Sequence, residues 1–363
     1  MTHGSALTQK ARYRSHCTGT SHQASLQRLA PVVDQHPVPN AGRDQCLLEA
    51  GVFERLGGTV DYCAHPAGVA FTLPAADHLA IRLDPKLGPR HRLPEHTVGA
   101  LLPTWYTDGK ESESPGGMIG ARLHRIDADG LHLGLAGTDA RVTLTGPTQD
   151  HWLSILADHR AWCTEHELTP LWDAPELTSH ERDYLDQDAT WWQERADAAW
   201  VGSGLLRRIA LLHTVTKPYC VKYWQHGLGW KFELNYEHGV TVNHDTLIDH
   251  LTHPRWGMPL QVKHDYCACK PCDCDGGAER SCWFRLVPQG DQGGVSIHFR
   301  RTRTGYRNSD VYERLVAAGA EPVWLEQALP TQHGSAAARR DARVFVPGAE
   351  LRGLARVTAD PSA

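Results

Sequence analysis

Five of the ten cysteines, Cys267, Cys269, Cys272, Cys274 and Cys282, fall within sixteen residues, and the first four have the spacing C-x-C-x2-C-x-C. Thiolates are soft ligands that favour zinc, and structural zinc takes four ligands at tetrahedral corners about 2.3 Å from the ion. Cys269 and Cys272 form the familiar C-x2-C bite, with Pro271 stiffening the turn between them. Cys267, Cys274, Cys282 and His264 compete for the remaining positions, because one short loop must bend sharply to bring four sulfurs around one ion. Gly276-Gly277 permits the reversal that would return Cys282 towards the loop. An iron–sulfur centre would use the same thiolates, so spacing alone leaves zinc and iron–sulfur both open. A closed set of four soft ligands has no open position for water, which points to a structural knot rather than a catalytic metal.

Two other groupings could carry chemistry. Asp245, Asp249 and His253 follow one another at i, i+4 and i+8, which on a continuous helix puts them on one face where they could act as an acid/base or metal-binding set. The alternative is a solvated helix face with Asn243 or Asp245 as its cap. Arg300, Arg301, Arg303 and Arg307, interleaved with Phe299 and Tyr306, make the most basic local run. Such a run can hold phosphates while its aromatics stack on bases, or it can be a strand and loop neutralised by nearby acids. The chain contains no G-x-x-x-x-G-K-[ST], G-x-G-x-x-G, G-x-S-x-G or H-E-x-x-H motif, so ATPase, dinucleotide, common serine-hydrolase and zincin readings lack support.

These groups need a scaffold, and hydrophobic periodicity predicts one. Arg43 to Leu56 reads as a helix buried through Leu47, Leu48, Val52 and Leu56. Strands are expected at 59–63, 69–73 and 78–83, then a long loop over 84–117, then a three-stranded meander at 118–126, 131–135 and 141–145. A helix follows from Gln149 to about Glu167. Thr178 and Glu181 form a capping box for a helix running to Trp200, with Leu185, Ala189, Trp192, Ala196 and Ala199 as its buried stripe and Gly202 and Gly204 as its end. The second half continues with a short helix at Leu205 to His213 and strands at 221–225 and 230–236. A helix over 246–253 and a strand at 260–266 follow. A hairpin of 283–287 with 295–301 and a helix over 310–318 complete the half. Trp230, Phe232, Leu234 and Tyr236 alternate with polar residues, as a half-buried strand requires. No internal repeat of about 20 to 50 residues is visible.

The expected fold class is α+β: two packed lobes of antiparallel strands and helices at 41–172 and 173–330, the second carrying the cysteine-rich loop. An N-terminal helical segment and linker occupy 1–40, and a tail 331–363. Within the N-terminal segment, Lys10-Ala11-Arg12, then Thr18-Gly19, then Ser21-His22-Gln23-Ala24-Ser25-Leu26 resembles a motif of uncharacterised actinobacterial proteins often found on mobile elements. The resemblance covers about twenty residues and implies an origin rather than a chemistry.

Composition bounds the remaining possibilities. With 41% hydrophobic and 22% charged residues the chain has the make-up of a folded globular protein, and 363 residues suffice for about two domains. No apolar stretch approaches the roughly 18 residues of a membrane span, and no apolar block follows the basic N-terminus as in a secretory signal. A cytoplasmic, reducing location is therefore expected, and there clustered cysteines bind metal rather than form disulfides. The net charge of −5, from 37 basic and 42 acidic residues, argues against an overall electrostatic grip on nucleic acid. The expectation is a metal-stabilised binding or accessory protein with a nucleic-acid or protein partner. The alternative is an enzyme working through Asp245, Asp249 and His253.

Overall fold

The computed structural model describes residues 5–32, 34–57, 65–87, 92–106, 115–218, 220–236, 242–267, 281–289 and 293–301. The expected strand at 59–63, the helix over 310–318 and the tail 331–363 lie outside these residues.

Two serines start the chain's first two helices. Ser5 and Ser21 accept hydrogen bonds from the Thr8 and Ala24 amides and cap α1 (Ala6–Thr18) and α2 (His22–Leu29). Between them Gly19 has φ +77°, and a Cβ there would sit 2.7 Å from the Ala70 carbonyl oxygen. The Thr18-Gly19 step of the N-terminal motif is thus a left-handed turn pressed against a strand, a place only glycine tolerates. The helices belong to the core: Ala11, Cys17 and Thr18 have no exposed surface, and the Tyr13 hydroxyl reaches the carbonyls of His250 (2.9 Å) and Trp256 (2.6 Å).

The amphipathic segment forms α3 (Arg43–Leu56), burying Leu48, Val52, Phe53 and Leu56 as its spacing requires. Next come β1 (Val69–Pro74) and β2 (His78–Leu83), then α4 (Leu93–Leu101) and β3 (Thr104–Tyr106). Those last two elements occupy a stretch expected to be loop. Pro94 made it read as irregular, yet it stands in the first turn of α4, where a missing N–H costs nothing. The meander is β4 (Ala121–Asp127), β5 (Gly130–Leu135) and β6 (Arg141–Thr145), followed by α5 (Gln149–Glu165) and β7 (Leu168–Pro170), which pairs with β3.

The capping box of Thr178 and Glu181 is formed, but the helix it starts, α6 (Ser179–Gln187), is short. Asp188 leaves the helical region at φ −140° and caps a new helix, α7 (Ala189–Leu206), by accepting from the Trp191 amide. That break turns the predicted stripe away from the core: Ala189 is exposed, and Leu185, Trp192 and Ala196 are only partly covered. Of the predicted stripe only Ala199 is buried; burial begins at Ala198 and runs through Ala199, Val201, Ser203, Leu205 and Leu206. Gly202 and Gly204 do not end α7. A Cβ on Gly202 would lie 2.7 Å from Trp230 and 2.9 Å from Ala50, so the glycine lets α7 close onto α3 and the strand beneath. A π-turn (Leu212–Thr216) follows in place of the helix expected at 205–213.

The remaining elements are β8 (Cys220–His226), β9 (Gly229–Tyr236), α8 (His244–Leu251), β10 (Gln261–Tyr266), β11 (Ser281–Val287) and β12 (Gly294–Arg301). In β9 the even-numbered aromatic and leucine side chains are buried, as alternation predicted. The strands make two five-stranded sheets, ordered β1-β2-β6-β5-β4 and β8-β9-β12-β11-β10. The pairings are antiparallel except for one parallel pair in each sheet, β2 with β6 and β9 with β12, so both sheets are mixed. The parallel pair arises because a helix carries the chain away after the first hairpin and the meander returns with its last strand innermost. Both sheets therefore repeat one plan: helix, hairpin, helix, three-stranded meander. The repeat is far longer than the window in which sequence periodicity was sought.

One continuous buried cluster joins the sheets, with α3 touching β5, β6 and β8. At its centre Glu49 of α3, with no exposed surface, meets Arg207 just past α7, which is 1% exposed. No described helix is long and apolar enough to cross a membrane.

Candidate metal centre

The N-terminus of α8 and the facing ends of β10 and β11 bring three ligand types together. His244 is the first residue of α8 and is 5% exposed; Cys267 directly follows β10; Cys282, 2% exposed, is the second residue of β11. The His244 Nε2, Cys267 Sγ and Cys282 Sγ atoms all lie within 4.8 Å of one another. Cys267 Sγ is 3.3 Å from His244 Nε2 and 3.8 Å from Cys282 Sγ. A tetrahedral zinc ion with ordinary bond lengths separates two sulfurs by about 3.8 Å and a sulfur from a nitrogen by about 3.6 Å. The two sulfurs stand at the separation such an ion sets, the Cys267 sulfur lies a few tenths of an ångström closer to the imidazole than it would, and all three atoms fall within reach of one ion.

The imidazole is also oriented for the task. Its Nδ1 lies 2.7 Å from Asp245 Oδ1. An ionised carboxylate only accepts, so Nδ1 carries the proton and Nε2 presents its lone pair to the thiols. Phe284 and Phe299 pack around the ring, with centroids 5.2 and 5.7 Å away, and keep that side of the centre apolar.

Comparison with protein-family models, with curated proteins and with solved structures gives no match. The reading of this centre therefore rests on its own geometry.

Two of the three clustered side chains, Cys267 and the alternate Cys282, are among those the sequence singled out. Cys267 and Cys282 converge, whereas Cys269, Cys272 and Cys274 lie outside the described residues. His264 is not part of the cluster: it sits mid-strand in β10, whose residues are all exposed, and its ring stacks on Trp283 at 6.0 Å. The ligand that was missed, His244, stands three, four and seven residues before Leu247, Ile248 and Leu251, the buried side of α8. A histidine in register with an apolar stripe was the available signal.

Asp245, Asp249 and His253 do not form one helical face. The helix ends at Leu251, and the His253 Nδ1 beyond it accepts from the Arg255 and Trp256 amides at 3.2 and 3.1 Å, its ring stacked on Trp256. Asp249 is exposed. Asp245 serves His244 instead. In the arginine run, Arg300 pairs with Glu233 on the neighbouring strand at 2.8 Å, so this charge is neutralised within the sheet. Arg301 is the last residue of β12, and Arg303 and Arg307 lie outside the described residues. All six described cysteines are free of disulfides.

Proposed function

We propose that His244, Cys267 and Cys282 hold a structural zinc ion, and that the protein is a metal-stabilised binding or accessory protein of the cytoplasm. The observation that carries this reading is the convergence of one oriented imidazole and two thiols within reach of a single ion. One thiol among Cys269, Cys272 and Cys274 completes the set, and the ion fastens the connection between β10 and β11 to α8. A nitrogen ligand beside two thiolates suits zinc, while iron–sulfur clusters are held mostly by thiolates alone. Six thiols without a disulfide support a reducing compartment. The N-terminal resemblance supports a place among mobile-element proteins.

Elemental analysis of the purified full-length protein tests the reading. One zinc per chain is expected, lost in His244→Ala and in Cys282→Ala but kept in Cys163→Ala, which removes a buried thiol elsewhere. Protein free of zinc and iron would overturn the proposal. Iron with a visible charge-transfer band would replace zinc by an iron–sulfur centre.

A further inference from the structure

The first sheet has a second face. Leu79, Ile81, Leu131, Leu133, Val142 and Leu144 turn into the core, each at most 1% exposed, so alternation sends His78, Ala80, His132, Arg141 and Thr143 to the opposite side. Ala80, Thr143 and His132 lie in one cross-strand row. The small Ala80 leaves a hollow over Thr143, and His78, His124, Arg125 and Arg141 rise around it.

With both imidazoles neutral, the hydrogen bonds beneath this hollow run in one direction. Asp127 is held by Arg125 Nε at 2.7 Å and by the Asp129 amide at 2.9 Å, and as a carboxylate it accepts from His132 Nε2 at 2.8 Å. The proton on Nε2 leaves His132 Nδ1 as a lone pair, which accepts the Thr143 hydroxyl proton across 3.0 Å. Thr143 Oγ1 in turn accepts from His78 Nε2 at 2.8 Å. A neutral His78 must therefore carry its remaining lone pair on Nδ1. Burial holds His78 below the ordinary imidazole range, which keeps it neutral at pH 7.

Arg141 supplies the complementary feature. Its Nη1 is tied to the carbonyls of Thr138 at 3.1 Å and Ala140 at 2.7 Å, and among the described residues no carboxylate pairs with it. A positive charge and a hydrogen-bond acceptor thus both line the hollow. An anion alone would satisfy the first and be repelled by the second. Asp129, an exposed carboxylate on the same rim, adds to that repulsion.

We propose that this hollow is a binding site for a protonated oxyanion, hydrogen phosphate, with its charge on Arg141 and its own O–H donated to the His78 imidazole. Inorganic phosphate keeps an O–H group at neutral pH, sulfate has none, and a phosphomonoester, with a second pKa of about 6, has lost most of its proton by pH 7. The site selects by that single donor.

Calorimetric titration of the full-length protein at pH 7 with inorganic phosphate, sulfate and a simple phosphomonoester tests the proposal. Phosphate should bind at least ~10-fold more tightly than sulfate or the ester, a difference of about 1.4 kcal/mol. Arg141→Gln should abolish binding, and His78→Leu should bring phosphate and sulfate to equal affinity. No phosphate binding at 10 mM, on the order of the weakest useful site, would overturn it, as would equal affinity for phosphate and sulfate in the unsubstituted protein. An oligonucleotide of phosphodiesters alone that bound as tightly as phosphate would also overturn it. The anion comparison requires no variant, so misfolding of a substituted chain leaves the test intact.

Discussion

Replacing Glu49 by alanine should be among the most damaging single changes in this protein. The carboxylate accepts from Gln45 Nε2 (2.7 Å), Ser203 Oγ (2.6 Å), Arg207 Nε (2.7 Å) and Arg207 Nη2 (2.6 Å), with neither Glu49 nor Arg207 more than 1% exposed. After truncation the guanidinium stays buried with only the Pro39 carbonyl, 2.5 Å from Nη1, to receive its protons. Breaking a buried pair from one side typically costs about 3 to 5 kcal/mol, because the surviving charge is uncompensated. That is about a fifth or more of the total stability of an ordinary domain, roughly 5 to 15 kcal/mol. Removing both charges should be far milder. Glu49→Met with Arg207→Met should lie within about 2 kcal/mol of the unsubstituted protein, a coupling of about 3 kcal/mol or more between the two sites. Urea denaturation of the parent, both single variants and the double variant measures these terms, provided the m-value holds constant. A loss below about 1 kcal/mol in Glu49→Ala, or a double variant that loses the sum of the singles, would refute the assignment of this pair as the buried link between α3 and α7.

Two further outcomes follow from other buried groups. Burial, reinforced by neighbouring His65, pushes His213 from 6.5 down to about 3, so between those values the unfolded chain binds the extra proton. Stability should then fall as pH drops below about 6.5, and His213→Phe should flatten the decline of the urea midpoint between pH 7 and pH 5. At the metal centre, Asp245→Ala should weaken zinc by about 10- to 100-fold in competition with a chromophoric chelator, whereas Asp249→Ala, which touches nothing there, should leave the affinity unchanged.

What the sequence made legible was local. Helix α3 follows from an apolar stripe, the Thr178 cap from a hydroxyl three residues before a glutamate, and β9 from strict alternation, each decided within a dozen residues. The misreadings share a cause. Pro94 and Gly202 carry strong local signals, but the first occupies a helix turn that needs no donor and the second a helix crossing that needs no side chain. Asp188 was readable as a cap, yet the apolar spacing across it suggested continuity. His244 joins Cys267 and Cys282 only because α8 folds back over β10 and β11, and no pattern in one segment encodes that contact. The relay of His78, Thr143, His132 and Asp127 was invisible for the same reason, since it draws on four strands whose order, β2-β6-β5-β4, is not their order in the chain.

The repeated sheet plan bears on what the metal is for. In the first sheet the opening turn of the meander, from β4 to β5, is made by Ala128 and Asp129 alone, and among the described residues no cluster of metal-ligand side chains adjoins it. In the second sheet the same turn is replaced by residues 267–280, where the cysteines concentrate. What the second sheet has and the first lacks is an extended connection beginning at an edge strand exposed on both faces, with Val262 and Tyr266 at 45% and 62% exposure. Such an edge, left to itself, would gain little from burial and would fray. Tying its end through Cys267 to a buried histidine and a buried cysteine lends it the rigidity of the core. On the proposed metal reading, the ion would serve the inserted connection and its edge strand rather than the sheet that carries them.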